Sequence, residues 1–134
     1  MTHAIRRHPE AFSLQPTGKN SKPVKDKSYL EWLHELPCIV TGKSPVEAAH
    51  ISYAAPEYGK LGRGKSQKES DRWAVPLHKD EHDRQHSMNE REYWRSQGID
   101  PCIVALSLHA ACPDTQRGLL IIRSIRRTAI QEME

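Results

Sequence analysis

Apolar residues first recur with helical spacing at Tyr29, Leu30, Trp32, Leu33 and Leu36, a broad face for one short helix. Ser28 and Glu31 stand as N-cap and N3 of a capping box in front of it, and Pro37 ends it. Cys38-Ile39-Val40 reads as a short apolar strand and Thr41-Gly42 as a turn. Residues 47–52 read as a second strand, carried by His50 and Ile51. Residues 73–77, Trp-Ala-Val-Pro-Leu, form a third apolar segment, and a helix over about 79–86 follows it. Ser87 and Glu90 offer another capping box, for a helix that carries Tyr93 and Trp94 and stops at Gly98. Asp100-Pro101 is an N-cap and N1 pair opening a helix through about Ala110. After Pro113-Asp114 a last helix over 115–131 buries Leu119, Ile122, Ile125 and Ala129, while Arg117, Arg123 and Arg127 lie off that stripe. Short strands set among helices predict an α+β fold.

Two stretches escape this periodicity. Residues 1–27 are rich in Pro, Lys, Ser and Thr and read as a disordered basic arm. Residues 53–70 hold Pro56, Gly59, Gly62 and Gly64 and read as a loop long enough to be functional. The expected organisation is an arm at 1–27, a domain at 28–112, and a C-terminal helix at 113–134 that packs on it or extends from it. There is no internal repeat.

A length of 134 residues suits one domain, and 37% hydrophobic residues promise a modest core that a bound metal would help to hold. No stretch approaches the roughly 20 apolar residues of a membrane span, so no membrane partner is expected. The first residues lack the apolar core of a secretory signal. Three cysteines, Cys38, Cys102 and Cys112, are too few for a disulfide framework, which places the chain in a reducing compartment, the cytoplasm.

The net charge of +3 is unevenly spread: residues 1–27 carry six basic against two acidic side chains, and residues 60–72 five against two. Basic patches on a near-neutral chain suit a polyanion. Histidine says more. His50, His78, His82 and His86 fall within 37 positions. His82 and His86, at i and i+4, share one helix face one turn apart, close enough to hold one cation. A strand pair packed on that helix would bring His50 to the same point.

The stretches YLEWLHELPCIVTG, EAAHISYA, the Gly/Lys loop, DRWAVPLHKDEHDRQH and NEREYWRSQGIDP span about residues 28–101. Together they resemble the HNH (ββα-metal, His-Me finger) endonucleases, in particular the phage and prophage branch related to recombination-enhancement nucleases. The resemblance implies a ββα-metal core with a short β-hairpin and flanking helices, in a phage- or prophage-encoded protein working in the cytoplasm of a bacterial host. It implies hydrolysis of phosphodiester bonds in DNA with one divalent ion, Mg²⁺, Mn²⁺ or Zn²⁺, and raises a recombination protein as a partner. His50 matches the general base, His82 and His86 match helix histidines at the metal, and Asp71 falls near the position that orients the base. His78 stands where many members have cysteine.

Ala49 stands where members often place a ligand, so the third protein ligand is open among Asp71, Glu47, Asp83 and His50 itself. Cys38, Thr41, His78 and Glu81 replace the two C-x2-C pairs of a structural zinc, which is therefore not expected. In this chemistry a neutral His50 takes a proton from the attacking water. Lys60, Arg63, Lys65 and Arg72 would hold flanking phosphates, which gives affinity and salt sensitivity without sequence choice. The runner-up is a non-catalytic nucleic-acid-binding module on the same scaffold. A metal-stabilised interaction protein is the third reading.

Two other motifs are set aside. Residues 59–66 satisfy the P-loop pattern, but no buried strand precedes them and no helix of useful length follows. His82-Asp83-Arg84-Gln85-His86 is one substitution from the zinc-peptidase H-E-x-x-H, but the helix is too short for that setting.

Overall fold

Asp26, not Ser28, caps the first helix. In the computed structural model, which describes residues 25–60 and 70–133, α1 (Lys27–Leu33) starts with the Asp26 carboxylate accepting the Tyr29 N–H at 3.2 Å. Ser28 donates its hydroxyl to the same oxygen. Both are good cap residues, and the aspartate adds a full negative charge at the positive end of the helix. Asp26 and Lys27 thus belong to the fold rather than to the expected arm, whose residues 1–24 lie outside the described residues.

The expected strand at Cys38–Val40 is a turn. Gly42 N–H donates to Cys38 C=O, Cys38 N–H donates to Lys43 C=O, and the N–H groups of Val40 and Thr41 point at Cys38 Sγ, 3.4 Å away. Gly42 has φ +77, the left-handed region that favours glycine, and an added Cβ would lie 2.6 Å from the Arg126 guanidinium, which would have to shift. Ile39 N–H reaches out of the turn to Pro76 C=O.

The sheet has two antiparallel strands, β1 (Val46–His50) and β2 (Ala74–His78), with Glu47 opposite Leu77 and His50 opposite Ala74. Pro76 donates no ladder hydrogen bond, which a two-stranded sheet tolerates because both strands are edges. The strands are joined by the long segment 51–73 rather than by a tight hairpin. In it, Pro56–Tyr58 forms a 3-10 turn, and Ala55 and Lys60 pair as an isolated bridge.

β2 runs directly into α2 (Lys79–His86), whose span matches the sequence expectation. His78 caps it, Nδ1 accepting the Asp80 N–H at 3.2 Å. Ser87 does not start the next helix; its N–H closes α2 on Asp83 and Arg84 C=O. Asn89 caps α3 (Glu90–Gln97) instead, accepting the Glu92 N–H, and Gly98 ends it at φ +69. α4 (Pro101–Ala111) opens on the Asp100 cap as expected, and α5 (Thr115–Met133) packs against it. A Cβ on Gly118 would lie 2.9 Å from the Trp32 ring, so α5 sits with its backbone against the indole.

Leu33, Leu36, Ile39, Val75, Leu77, Tyr93, Leu108 and Ile122 are fully buried and join α1, the turn after it, β2, α3, α4 and α5 into one core, while α2 lies on its surface with Gln85 as its buried residue. The result is a mixed α+β fold. All three cysteines are free, and no helix among the described residues is long and apolar enough to cross a membrane.

The Asp26 cap leads to a stability prediction. Its hydrogen bond from His109, then that from Tyr29 N–H, hold the carboxyl below its usual 3.8. A lowered acid contributes stability that is present above its ordinary titration range and lost as pH falls through the lowered value. Asp26→Ala is expected to cost about 1–3 kcal/mol near neutral pH. The gap to wild type should narrow below pH 3.8; urea unfolding at pH 7 and pH 3 checks both.

Candidate functional site

His50 ends β1, and Asp71 begins a 3-10 turn (Asp71–Trp73) that feeds β2. Antiparallel pairing of His50 with Ala74 therefore sets the imidazole beside the Asp71 carboxylate. His50 Nε2 lies 2.9 Å from Asp71 Oδ1, with the side chains 35% and 18% exposed. A carboxylate only accepts, so Nε2 carries the hydrogen and the unprotonated lone pair of a neutral ring sits on Nδ1. The other Asp71 oxygen accepts the Asp26 N–H at 2.7 Å. With both oxygens engaged, the carboxylate has one orientation.

A second cluster forms on α2. His82 Nδ1 donates to Glu47 Oε1 at 2.8 Å, which leaves His82 Nε2 as the acceptor of that ring. His86 Nε2 meets it at 3.0 Å, the ring centroids 4.6 Å apart. The i, i+4 spacing does what the sequence suggests: two imidazole nitrogens converge on one point. A carboxylate holding the far nitrogen of one ring is the usual support of a metal-bound histidine. Two nitrogen donors turned to one point suit a borderline divalent cation.

No hydrogen bond or ring contact among the described residues links His50 to the imidazole pair. Among the described residues no three His, Cys, Asp or Glu side chains form a group that would hold a metal ion. Of the open third ligands, Asp83 is bound elsewhere: Lys79 donates to it at 2.7 Å, and that bond first of all holds its carboxyl below the usual range. Asp71 serves His50, and Glu47 serves His82.

The expected phosphate contacts divide. Arg72 is exposed beside Asp71, its guanidinium 5.1 Å from the Trp73 ring centroid. Arg63 and Lys65 lie outside the described residues. Lys60 corrects the expectation: only 1% exposed, it is closed to a phosphate arriving from solvent. Its backbone pairs both ways with Ala55, which draws it inward. Residues 56–58, before the P-loop-like stretch, form a 3-10 turn rather than a buried strand.

Sequence reasoning missed Asp26 and His109, which stand behind Asp71. A helix-cap signal is present at Asp26, but His109 is 83 residues away and nothing local marks it.

The family model described as "Protein of unknown function (DUF968)" matches residues 6–112, and the match ends where α4 gives way to α5. Comparison with curated proteins and with solved structures finds no match.

Proposed function

The chain belongs to the DUF968 family, whose description assigns no function, and from its own geometry we propose a metal-dependent HNH-type endonuclease that hydrolyses phosphodiester bonds in DNA. The observation that carries this reading is the His50–Asp71 pair, with His50 Nδ1 left for a proton, on the strand next to a helix bearing two converging imidazoles. His50 accepts the proton of a water attacking phosphorus, and Asp71 keeps the ring in the tautomer and orientation that the transfer needs. His82 and His86 are the residues that would hold the divalent ion, with Glu47 fixing the His82 ring. When bound, such an ion supplies Lewis-acid stabilisation of the phosphate and the departing 3′ oxygen. Arg72 contacts a flanking phosphate, which strengthens binding at low salt and reads no base. The order strand, loop, strand, helix is that of a ββα core, in keeping with the resemblance.

Incubation with supercoiled plasmid tests this. Nicked or linear product is expected with Mg²⁺, Mn²⁺ or Zn²⁺, and none with EDTA. The second reading, a nucleic-acid-binding module without catalysis, has one observation in its favour: Ala49 before His50, with no three-ligand group among the described residues. DNA retained but uncut with all three metals would establish it and reject the nuclease.

A further inference from the structure

Behind the His50–Asp71 pair lies a chain of contacts that reaches α4. His109 Nε2 donates to Asp26 Oδ2 at 2.9 Å. The other oxygen of that carboxylate is held by the Tyr29 N–H and the Ser28 hydroxyl. Asp26, so fixed, presents its own N–H to Asp71 Oδ2, and Asp71 Oδ1 takes the His50 ring. A second route ends at the same place. The His109 ring meets the Tyr29 ring edge-on, centroids 4.8 Å apart. The Tyr29 hydroxyl donates to Ala74 C=O at 2.8 Å, and Ala74 is the strand partner of His50.

We propose that His109 is a positioning residue for the His50–Asp71 pair, acting through the helix cap Asp26. The physics is that of orientation. Asp71 starts a single 3-10 turn that packs against α1 and α4, so the placing of those helices bears on its rotamer. Its carboxylate direction is set by the Asp26 N–H, and that N–H points only where the cap turn points. Besides Asp71 itself, His109 pins the turn from outside α1, through the Asp26 carboxylate. Without it, the Asp26 carboxylate keeps its local bonds to residues 28 and 29 but loses its link to α4, and the cap turn rotates more freely against Asp71. A general base displaced by even a fraction of an ångström loses rate. The inference rests on the proposed nuclease reading for its kinetic consequence, but not for its structural one.

The test has two arms. In the kinetic arm, His109→Ala lowers kcat by about 10-fold with KM unchanged, and His109→Gln, which retains an N–H donor at similar reach, recovers most of it. In the Asp71→Ala background His109→Ala has no further effect, because the two act through one path. An equal loss in that background would mean a merely structural role and overturn the proposal. In the second arm, the ring C–H signal of His50, assigned by its loss in His50→Ala, is followed by NMR without DNA or metal. His109→Ala shifts it, and His34→Ala, on the exposed side of the first helix end, does not. An unchanged His50 signal in His109→Ala overturns the proposal whether or not the protein cuts DNA. Absence of cleavage by the wild type rejects the nuclease reading alone and leaves this arm to decide the positioning.

Discussion

His50→Ala is expected to lower DNA cleavage by about 10²- to 10⁴-fold, the contribution of a well-placed general base, with the fold intact. The side chain is 35% exposed at the end of β1, so its removal leaves no cavity in the core. Circular dichroism and DNA binding should therefore match wild type while the rate collapses. Asp71→Asn is expected to be milder, about 10-fold, for a specific reason. Both Asp71 oxygens accept, one from His50 and one from the Asp26 N–H. An amide offers one acceptor and one donor, so one of those two N–H groups faces an N–H. The ring is then misdirected rather than lost. Plasmid-nicking rates for wild type and both variants, at one pH, measure both effects. Full activity in a folded His50→Ala would remove His50 as the base.

Much of the frame around this site is legible in the chain because its signals are local. A strand before it and Ser87 after it bound Lys79–His86, Gly98 stops α3, and the Asp100-Pro101 pair opens α4. The i, i+4 meeting of His82 and His86 needs only a helix. What the pattern does not show is settled by contacts distant in sequence or by competition between near-equal neighbours. Ser28 and Asp26 are both cap residues, and only the assembled turn decides between them. Cys38–Val40 looks like a strand because it is apolar, but its backbone bonds go to its own sulfur, to Lys43 and to Pro76. Lys60 sits in a glycine-rich basic stretch that suggests exposure, and the bridge to Ala55 buries it. The approach of Asp71 to His50 is implied by the family resemblance and by no local pattern, since strand register alone joins residues 21 apart. The reach of His109 to Asp26 has no counterpart in any local pattern.

The imidazole pair on α2 supports a second prediction of large effect. His82→Ala is expected to abolish saturable binding of Mn²⁺ by calorimetry and to cut cleavage by at least about 10²-fold, not restored by excess metal. Its ring stands between Glu47 and His86 and is the member in contact with both. Removing it leaves one imidazole and a carboxylate with no shared point. His86→Ala removes one donor but leaves the Glu47–His82 contact, so weaker binding that excess metal partly restores is expected. Glu47→Gln keeps the shape and loses the charge that favours Nδ1–H on His82. Here metal affinity should fall about 10- to 100-fold with kcat recovered at saturating metal. Asp83→Ala serves as the control within the same helix. Its carboxylate is engaged by Lys79, so neither metal affinity nor cleavage should change. If His82→Ala bound Mn²⁺ as wild type does, the pair would be a hydrogen-bonded surface feature of α2, and any ion used in cleavage would have to be held elsewhere.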